Sequence, residues 1–289
     1  MTISIASIIV IAFVYMVFDV FNRRNIPNTI VYASLVYAVL VALFYFNSGT
    51  LVSFIIAGAI GLAGYAVYKV GQIGAADVVE FAVLSLLMPY QVISYGIGES
   101  ATMPFIFSLL INTGIAALII VPLYYIPKGY SRVKGALKMI SKADLAKAVV
   151  IGMTYIIFIG FLVIVVGIGF LQFLLLALIM LSSIAIVLFE RLITRGMIEY
   201  VKPDKFDSGD IIALNLMKES DIRKVKSKVK SFERLVNEGM IKEMIRKRVS
   251  TKFPVYKEAM PLALAILIGA ILALYFGNLL IFIIAPPFI

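Results

Sequence analysis

The chain has 289 residues, of which 62% are hydrophobic and 15% charged, and its mean hydropathy is +1.06. A soluble globular domain is about 45–50% apolar and about 25% charged, so this composition excludes an ordinary soluble domain and a disordered chain. The chain has no Cys and no His, which excludes disulfides, Cys- or His-dependent catalysis and metal sites built on those residues. Any acid–base catalysis would therefore use Asp, Glu, Lys or Tyr, and we expect no metal or other cofactor.

Long apolar runs dominate the sequence. A transmembrane helix needs about 20 predominantly apolar residues to cross a hydrocarbon core of about 30 Å. The runs lie at 3–21, 29–46, 51–68, 78–95, 105–126, 148–189 and 259–284. The run 148–189 contains no charged residue, and as one helix it would be about 63 Å long. It is therefore predicted to divide at Gly167–Gly169, which gives an all-α polytopic membrane protein of about eight transmembrane helices.

The charges indicate how these helices are oriented. Alternating eight spans places the segments 22–28, 69–77, 127–147 and 190–258 on one side, and they contain all 26 Lys and Arg residues. The opposite side has Glu99 as its one charged side chain. The positive-inside rule makes the basic side cytoplasmic, with both termini outside. This topology accounts for the net charge of +10, so the lipid bilayer is the expected partner and nucleic acid is not.

The sequence predicts three parts: a transmembrane helical domain at 1–189, a cytoplasmic insert at 190–258 and a final transmembrane helix at 259–289. The insert is predicted to be small and mixed α/β, with a strand at 210–216 and helices at 221–236 and 240–248. Its basic run at 223–230 has two interpretations that remain open. It is either a solvated or lipid-facing surface, or a docking surface for a charged protein.

Two acids lie at the ends of apolar spans. A charged side chain in an apolar span costs free energy and usually has a functional role. Asp19 lies at the end of the first span and Asp77 at the start of the fourth, and Glu80 follows on nearly the same helix face. The two spans run in opposite directions, so Asp19 and Asp77 both lie at the cytoplasmic edge. A carboxylate pair at one site can divide its roles, with one member as general base on a water and the other carrying a proton.

Two other interpretations of these acids stay open. In the first, each acid is held in a structural ion pair, Asp19 with Arg23 or Arg24 and Asp77 with Lys69. In the second, they line the path of a proton- or cation-coupled small membrane transporter. The outer halves of the spans are nearly free of charge, which counts against a transport path. A membrane scaffold without enzymatic activity is a further alternative, and it would tolerate loss of either acid.

Two sequence motifs resemble those of a known family. The segment F-D-V-F-N-R-R-N-I-P-N at 18–28 and the segment G-Q-I-G-A-A-D at 71–77 are similar to the two motifs of the archaeal preflagellin and type IV prepilin peptidases, which are GxGD-type membrane aspartic proteases. The resemblance implies a membrane aspartic endopeptidase with Asp19 and Asp77 as catalytic residues. It also implies cleavage of a short basic leader from pilin-like or flagellin-like precursors at the cytoplasmic face of the cell membrane, as in archaellum or type IV pilus assembly.

Several further residues have predicted roles. Gly74 either lets the backbone approach the substrate or permits tight helix packing, and Glu80 is a candidate for binding the basic leader. The acidic residues of the insert, Asp204, Asp207 and Asp210, are also candidates for that role. Predicted supporting residues are Tyr15, which could orient Asp19; Gly58, Gly61 and Gly64 for helix packing; and Asn112 and Gln172 for interhelical hydrogen bonds.

Overall fold

The computed structural model describes residues 2–22, 26–45, 48–70, 73–88, 90–94, 100–132, 139–229, 232–256 and 262–284. The helices are α1 (Thr2–Phe21), α2 (Asn28–Phe44), α3 (Ser48–Lys69), α4 (Ala75–Leu87), α5 (Phe105–Arg132), α6 (Lys142–Phe161), α7 (Phe170–Leu188), α8 (Glu190–Met197), α9 (Glu219–Lys228), α10 (Glu238–Arg246), α11 (Leu262–Phe276) and α12 (Leu279–Ile284). The strands are β1 (Tyr90–Ser94), β2 (Ser100–Pro104), β3 (Glu199–Val201) and β4 (Phe253–Val255). They form two separate two-stranded antiparallel sheets, β1–β2 and β3–β4.

Within the described residues, five helices are long and apolar enough to cross a membrane. They are α1, α3, α5, α7, and α6 together with the turn that follows it. Shorter helices occupy the other three predicted spans: α2, α4 and α11 have 17, 13 and 15 residues. The predicted all-α polytopic membrane fold is confirmed.

The long apolar run divides where the sequence predicts. The helix α6 passes into a π-helical turn at Leu162–Val166, and Gly167 then adopts a left-handed conformation with φ of 70°. The Gly167 N–H donates a hydrogen bond to the Leu162 carbonyl at 3.0 Å. Because glycine has no Cβ, it adopts this conformation without steric cost, and the chain can then reverse direction into α7.

The fourth span departs from the prediction. A helix was expected to extend to residue 95, but α4 ends at Leu87 and the chain continues as the β1–β2 hairpin. Met88 is extended, with φ of −143° and ψ of 88°, and the next residue in the sequence is Pro89. A residue before proline is disfavoured in the α conformation, so the helix stops there. At about 1.5 Å per residue, α4 is only about 20 Å long.

Two helices lie at the centre of the bundle. The helix α4 packs against α1, α2 and α3, and α11 packs against α1 and α5. Fully buried side chains from α1, α4, α5 and α11 meet in one hydrophobic core, including Ile8, Leu84, Leu109 and Ile266. The first turns of α4 and α11 are thereby held next to the end of α1.

Polar side chains stabilise a break in the last membrane segment. Gly277, with φ of 71°, separates α11 from α12. The Asn112 side chain donates to the Gly277 carbonyl at 2.7 Å and accepts from the Leu279 N–H at 3.0 Å. Gln172 donates to the Phe282 carbonyl at 2.6 Å. The predicted interhelical hydrogen bonds of Asn112 and Gln172 are confirmed, and they satisfy backbone groups that a helix break leaves unpaired.

The segment between α7 and α11 contains its own hydrophobic cluster, to which β3, α9, α10 and β4 contribute. The strand predicted at 210–216 is wrong in extent, because Ile211 and Ile212 form only isolated bridges and Leu214–Leu216 is a 3₁₀ turn. Only those two isoleucines favour a strand, whereas Asn215 disfavours one. The helix predicted at 221–236 is likewise shorter, since α9 ends at Lys228. The helix predicted at 240–248 corresponds to α10.

Candidate active site

Asp19 lies in the last turn of α1 and is 6% exposed. Its Oδ2 accepts a hydrogen bond from the backbone N–H of Ala263 at 3.2 Å. Ala263 is the second residue of α11, where the backbone N–H groups have no partner within the helix. A helix N-terminus also carries a partial positive charge that favours a carboxylate. The last membrane helix therefore fixes Asp19, across 244 residues of sequence.

Asp77 lies in the first turn of α4 and is partly exposed. Its Oδ2 accepts a hydrogen bond from the Gly74 N–H at 3.0 Å, so the carboxylate caps the helix that carries it. A Cβ at position 74 would lie 2.8 Å from the same oxygen. Glycine at this position therefore leaves room for the Asp77 carboxylate. The exposed Gly74 backbone also remains accessible to a substrate, as one of its two predicted roles requires. The other role, tight helix packing, is not supported, because only Asp77 atoms lie within 4 Å of a Cβ at this position.

The ion pair predicted between Lys69 and Asp77 does not form between these two described residues. The Lys69 ammonium group instead lies over the Tyr65 ring, 5.3 Å from its centroid. Such an arrangement is a cation–π contact at the C-terminal end of α3. The ion-pair partners predicted for Asp19 are Arg23 and Arg24, which lie outside the described residues.

Glu80 is fully enclosed, one turn along α4 from Asp77. Neither of its carboxyl oxygens has a hydrogen-bond partner among the described residues. The carboxyl group is close enough to Asp77 and to Asp19 for both of their charges to act on it. Three carboxyl groups from α1 and α4 thus share one region of the bundle.

The position of Glu80 argues against the role predicted for it. The side chain has no exposed surface, and it lies further into the bundle than Asp77. A basic leader outside the bundle therefore cannot contact it in this arrangement. The sequence spacing correctly predicts that Asp77 and Glu80 lie on one face of α4. It contains no information on how α1, α2 and α3 pack, and their packing encloses that face beyond the first turn.

Tyr15 does not orient Asp19 through its hydroxyl group. The Tyr15 and Ser34 hydroxyl oxygens are 2.8 Å apart, and the Ser34 hydroxyl donates to the Val31 carbonyl. Since a hydroxyl has a single hydrogen to donate, Tyr15 is the donor to Ser34. The Tyr15 side chain is fully buried and joins α1 to α2 beside the carboxyl groups.

An apolar cluster surrounds the site, and part of it was not predicted. Tyr15, Ile26, Val31 and Ala263 are its buried members, and Ala76 packs against them. Ile26 belongs to the I-P-N turn, so this turn packs beside both acids as well as leading into α2. A second close contact holds α3 to α4, because a Cβ at Gly64 would overlap the Val78 side chain. The packing role predicted for glycine is thus found at Gly64, whereas Gly58 and Gly61 have no atom near their Cβ positions.

The site offers carboxylate chemistry. Among the described residues, no group of three or more His, Cys, Asp and Glu side chains is arranged to hold a metal ion. Asp19 is buried with a backbone donor, whereas Asp77 is partly open to solvent. Two carboxyl groups in one region of the bundle are the residue types that a general acid–base pair acting on water requires.

The comparison with known proteins gives one finding. Residues 6–121 match the sequence model of the type IV leader peptidase family. No curated protein and no solved structure is detectably similar to the chain. The matched segment runs from α1 into α5 and includes Asp19, Gly74 and Asp77. Residues 6–121 of this multi-pass membrane protein are thus similar to the type IV leader peptidase family, a family of proteases.

Proposed function

We propose that the chain is a membrane aspartic endopeptidase that removes the short basic leader from pilin-like or flagellin-like precursors. The observation that carries this proposal is the arrangement of Asp19 and Asp77. They lie 58 positions apart in sequence and on different helices, yet the residues that precede them, Phe18 and Ala76, pack against the same apolar cluster. The match of residues 6–121 to a leader peptidase family supports a peptide bond as the target.

The proposed reaction is direct attack of water on the scissile carbonyl. One aspartate acts as general base and takes a proton from the water, while the other carries a proton and polarises the carbonyl oxygen. Collapse of the tetrahedral intermediate breaks the C–N bond, and the leaving nitrogen receives a proton from the aspartate that took one up. No acyl-enzyme forms, because neither carboxylate attacks the peptide itself.

We propose that cleavage takes place at the cytoplasmic face. The end of α1, the start of α4 and the start of α11 lie at the end of the bundle that the positive-inside rule assigns to the cytoplasm. A precursor would place its hydrophobic helix in the membrane and its leader in the cytoplasm. The three-part division into 1–189, 190–258 and 259–289 fits this scheme, with the last part supplying the Ala263 N–H to Asp19.

Leader recognition requires acidic groups that reach the cytoplasm. Because Glu80 is enclosed, we propose that this role falls to the partly exposed Asp77 and to the insert residues Asp204, Asp207 and Asp210. Alanine at the three insert positions should slow cleavage of a basic-leader precursor more than cleavage of a precursor with a neutral leader. An equal effect on both precursors would remove these residues from leader recognition.

The direct test is a cleavage assay on a pilin-like or flagellin-like precursor in membranes, read by the mass of the released leader. Asp19→Asn and Asp77→Asn keep the side-chain size and remove the ionisable group, and each should lower the rate by about 10²–10⁴-fold or more. Asp221→Asn, in the first turn of α9, is the matched control and should cleave at the wild-type rate. If both single variants still cut normally, the proposal is wrong.

A further inference from the structure

The C-terminal end of α10 carries an exposed cluster of one apolar and three basic residues: Ile245, Arg246, Lys247 and Arg248. We call this cluster the basic corner. Ile245 is 52% exposed although it is a large aliphatic side chain. An apolar side chain beside several cations is a composition that binds to the surface of an anionic membrane. The apolar side chain enters the headgroup region, and the cations contact the lipid phosphates.

The backbone at Arg248 provides an independent observation. Its φ is 50°, and it is the one described residue other than glycine with a positive φ. The Arg248 N–H donates to the Ile245 carbonyl, and the Val249 N–H donates to the Met244 carbonyl, both at 3.0 Å. This pattern ends a helix at a position that normally holds glycine, because a Cβ is strained there. The chain thus carries an arginine where the fold favours glycine, which points to a use for the side chain.

The basic corner belongs to a unit that is tied to the membrane helices at both ends. On one side, α8 packs against α5, and Arg132 of α5 donates to the Gly196 carbonyl at 3.1 Å. On the other side, the corner is followed by β4, which pairs with β3 immediately after α8. The last membrane helix, α11, then begins at Leu262. Because the chain enters this unit from one membrane helix and leaves it into another, we expect the unit to lie close to the lipid surface.

We infer that the basic corner binds the headgroups of anionic lipids on the cytoplasmic leaflet. Charge complementarity and the exposed Ile245 select this partner over an acidic protein, because the lipid surface is always within reach of the tethered insert. The basic face of α9 fits less well. Its Arg223 is paired with Glu219 at 2.9 Å, and its exposed face carries no large apolar side chain. The inference does not depend on the proposed peptidase activity.

The natural absence of cysteine makes a single-site fluorescence experiment possible. The full chain with Ser250→Cys, an exposed site next to the corner, is labelled with a fluorophore and placed in nanodiscs. The discs contain a fixed fraction of neutral lipid with a spin-label quencher near the headgroup, with or without phosphatidylglycerol. Quenching should increase when phosphatidylglycerol is present. It should fall at 1 M salt, where charges are screened beyond about 3 Å.

Arg248→Gly is the critical variant, because glycine fits the backbone conformation at this position and the fold is retained. Thermal unfolding should be unchanged or shifted upward, while the contact with anionic lipid weakens about fivefold, as expected for one lost cation at about 1 kcal/mol. Lys224→Gln on α9 also removes one cation; it is the charge-matched control and should leave quenching unchanged.

Three results would overturn the inference. The first is quenching that does not change with phosphatidylglycerol content or with salt concentration. The second is quenching that the α9 control lowers as much as Arg248→Gly does. The third is a label that is insensitive to lipid but shielded by an added acidic protein, which would assign the corner to a protein partner.

Discussion

Replacement of Glu80 by leucine should stabilise the protein. Glu80 is 0% exposed, and both of its carboxyl oxygens lack a partner among the described residues. An unsatisfied buried polar group costs about 1–3 kcal/mol, and leucine removes both oxygens while keeping a similar volume. We expect the free energy of unfolding to rise by about 1–3 kcal/mol. At about 2–4 °C per kcal/mol, the midpoint of thermal unfolding would increase by about 2–12 °C.

The assay is thermal unfolding of purified protein in one detergent, with Glu80→Gln as the isosteric control. Glutamine keeps two unpartnered polar atoms but carries no charge, so its midpoint should lie between those of wild type and Glu80→Leu. Thr113, whose hydroxyl is also buried without a partner, gives a second comparison through Thr113→Val. A lower midpoint for Glu80→Leu would mean that Glu80 has a stabilising partner, and the reasoning from its burial would fail.

Three further predictions address the supports of the site. Asn112→Leu should lower the free energy of unfolding in detergent by about 2–4 kcal/mol, because two interhelical hydrogen bonds are lost while their backbone partners stay buried. An unchanged midpoint of thermal unfolding would contradict this. Gly64→Ala should lower the free energy of unfolding by about 1–3 kcal/mol, because the added Cβ overlaps the Val78 side chain. Adding Val78→Ala should restore most of this loss. Additive losses in the double-mutant cycle would show that the two positions are not coupled. Tyr15→Phe should cost about 1 kcal/mol and leave the cleavage rate unchanged, because its hydroxyl serves Ser34; a rate drop of about 10²-fold would instead assign Tyr15 to the chemistry.

The polytopic helical fold was predictable because it rests on composition along the chain. All Lys and Arg residues fall in every second connecting segment, and this pattern predicts that Asp19 and Asp77 lie at the same depth. The division at Gly167 was also predictable, since no single helix of that length fits a bilayer. The end of α4 was misplaced because the run stays apolar past Pro89, so hydropathy alone does not mark the helix end that a proline favours.

The immediate surroundings of the acids were not predictable, because they come from residues far apart in sequence. The contact of Asp19 with Ala263 joins the first and last membrane helices, and no local pattern encodes it. The burial of Glu80 depends on how three other helices pack over one face of α4. The left-handed Arg248 likewise gave no signal, since glycine is the residue that marks such a position in sequence.

The most direct test of the central claim is whether Asp19 and Asp77 act as one catalytic unit. Single-turnover cleavage of a precursor would be measured for Asp19→Asn, for Asp77→Asn and for the double variant, each after confirmed membrane insertion. Residues that work as a unit are strongly non-additive, so the double variant should be no slower than either single variant. Losses that multiply, or a single variant that cleaves at the wild-type rate, would contradict a shared site.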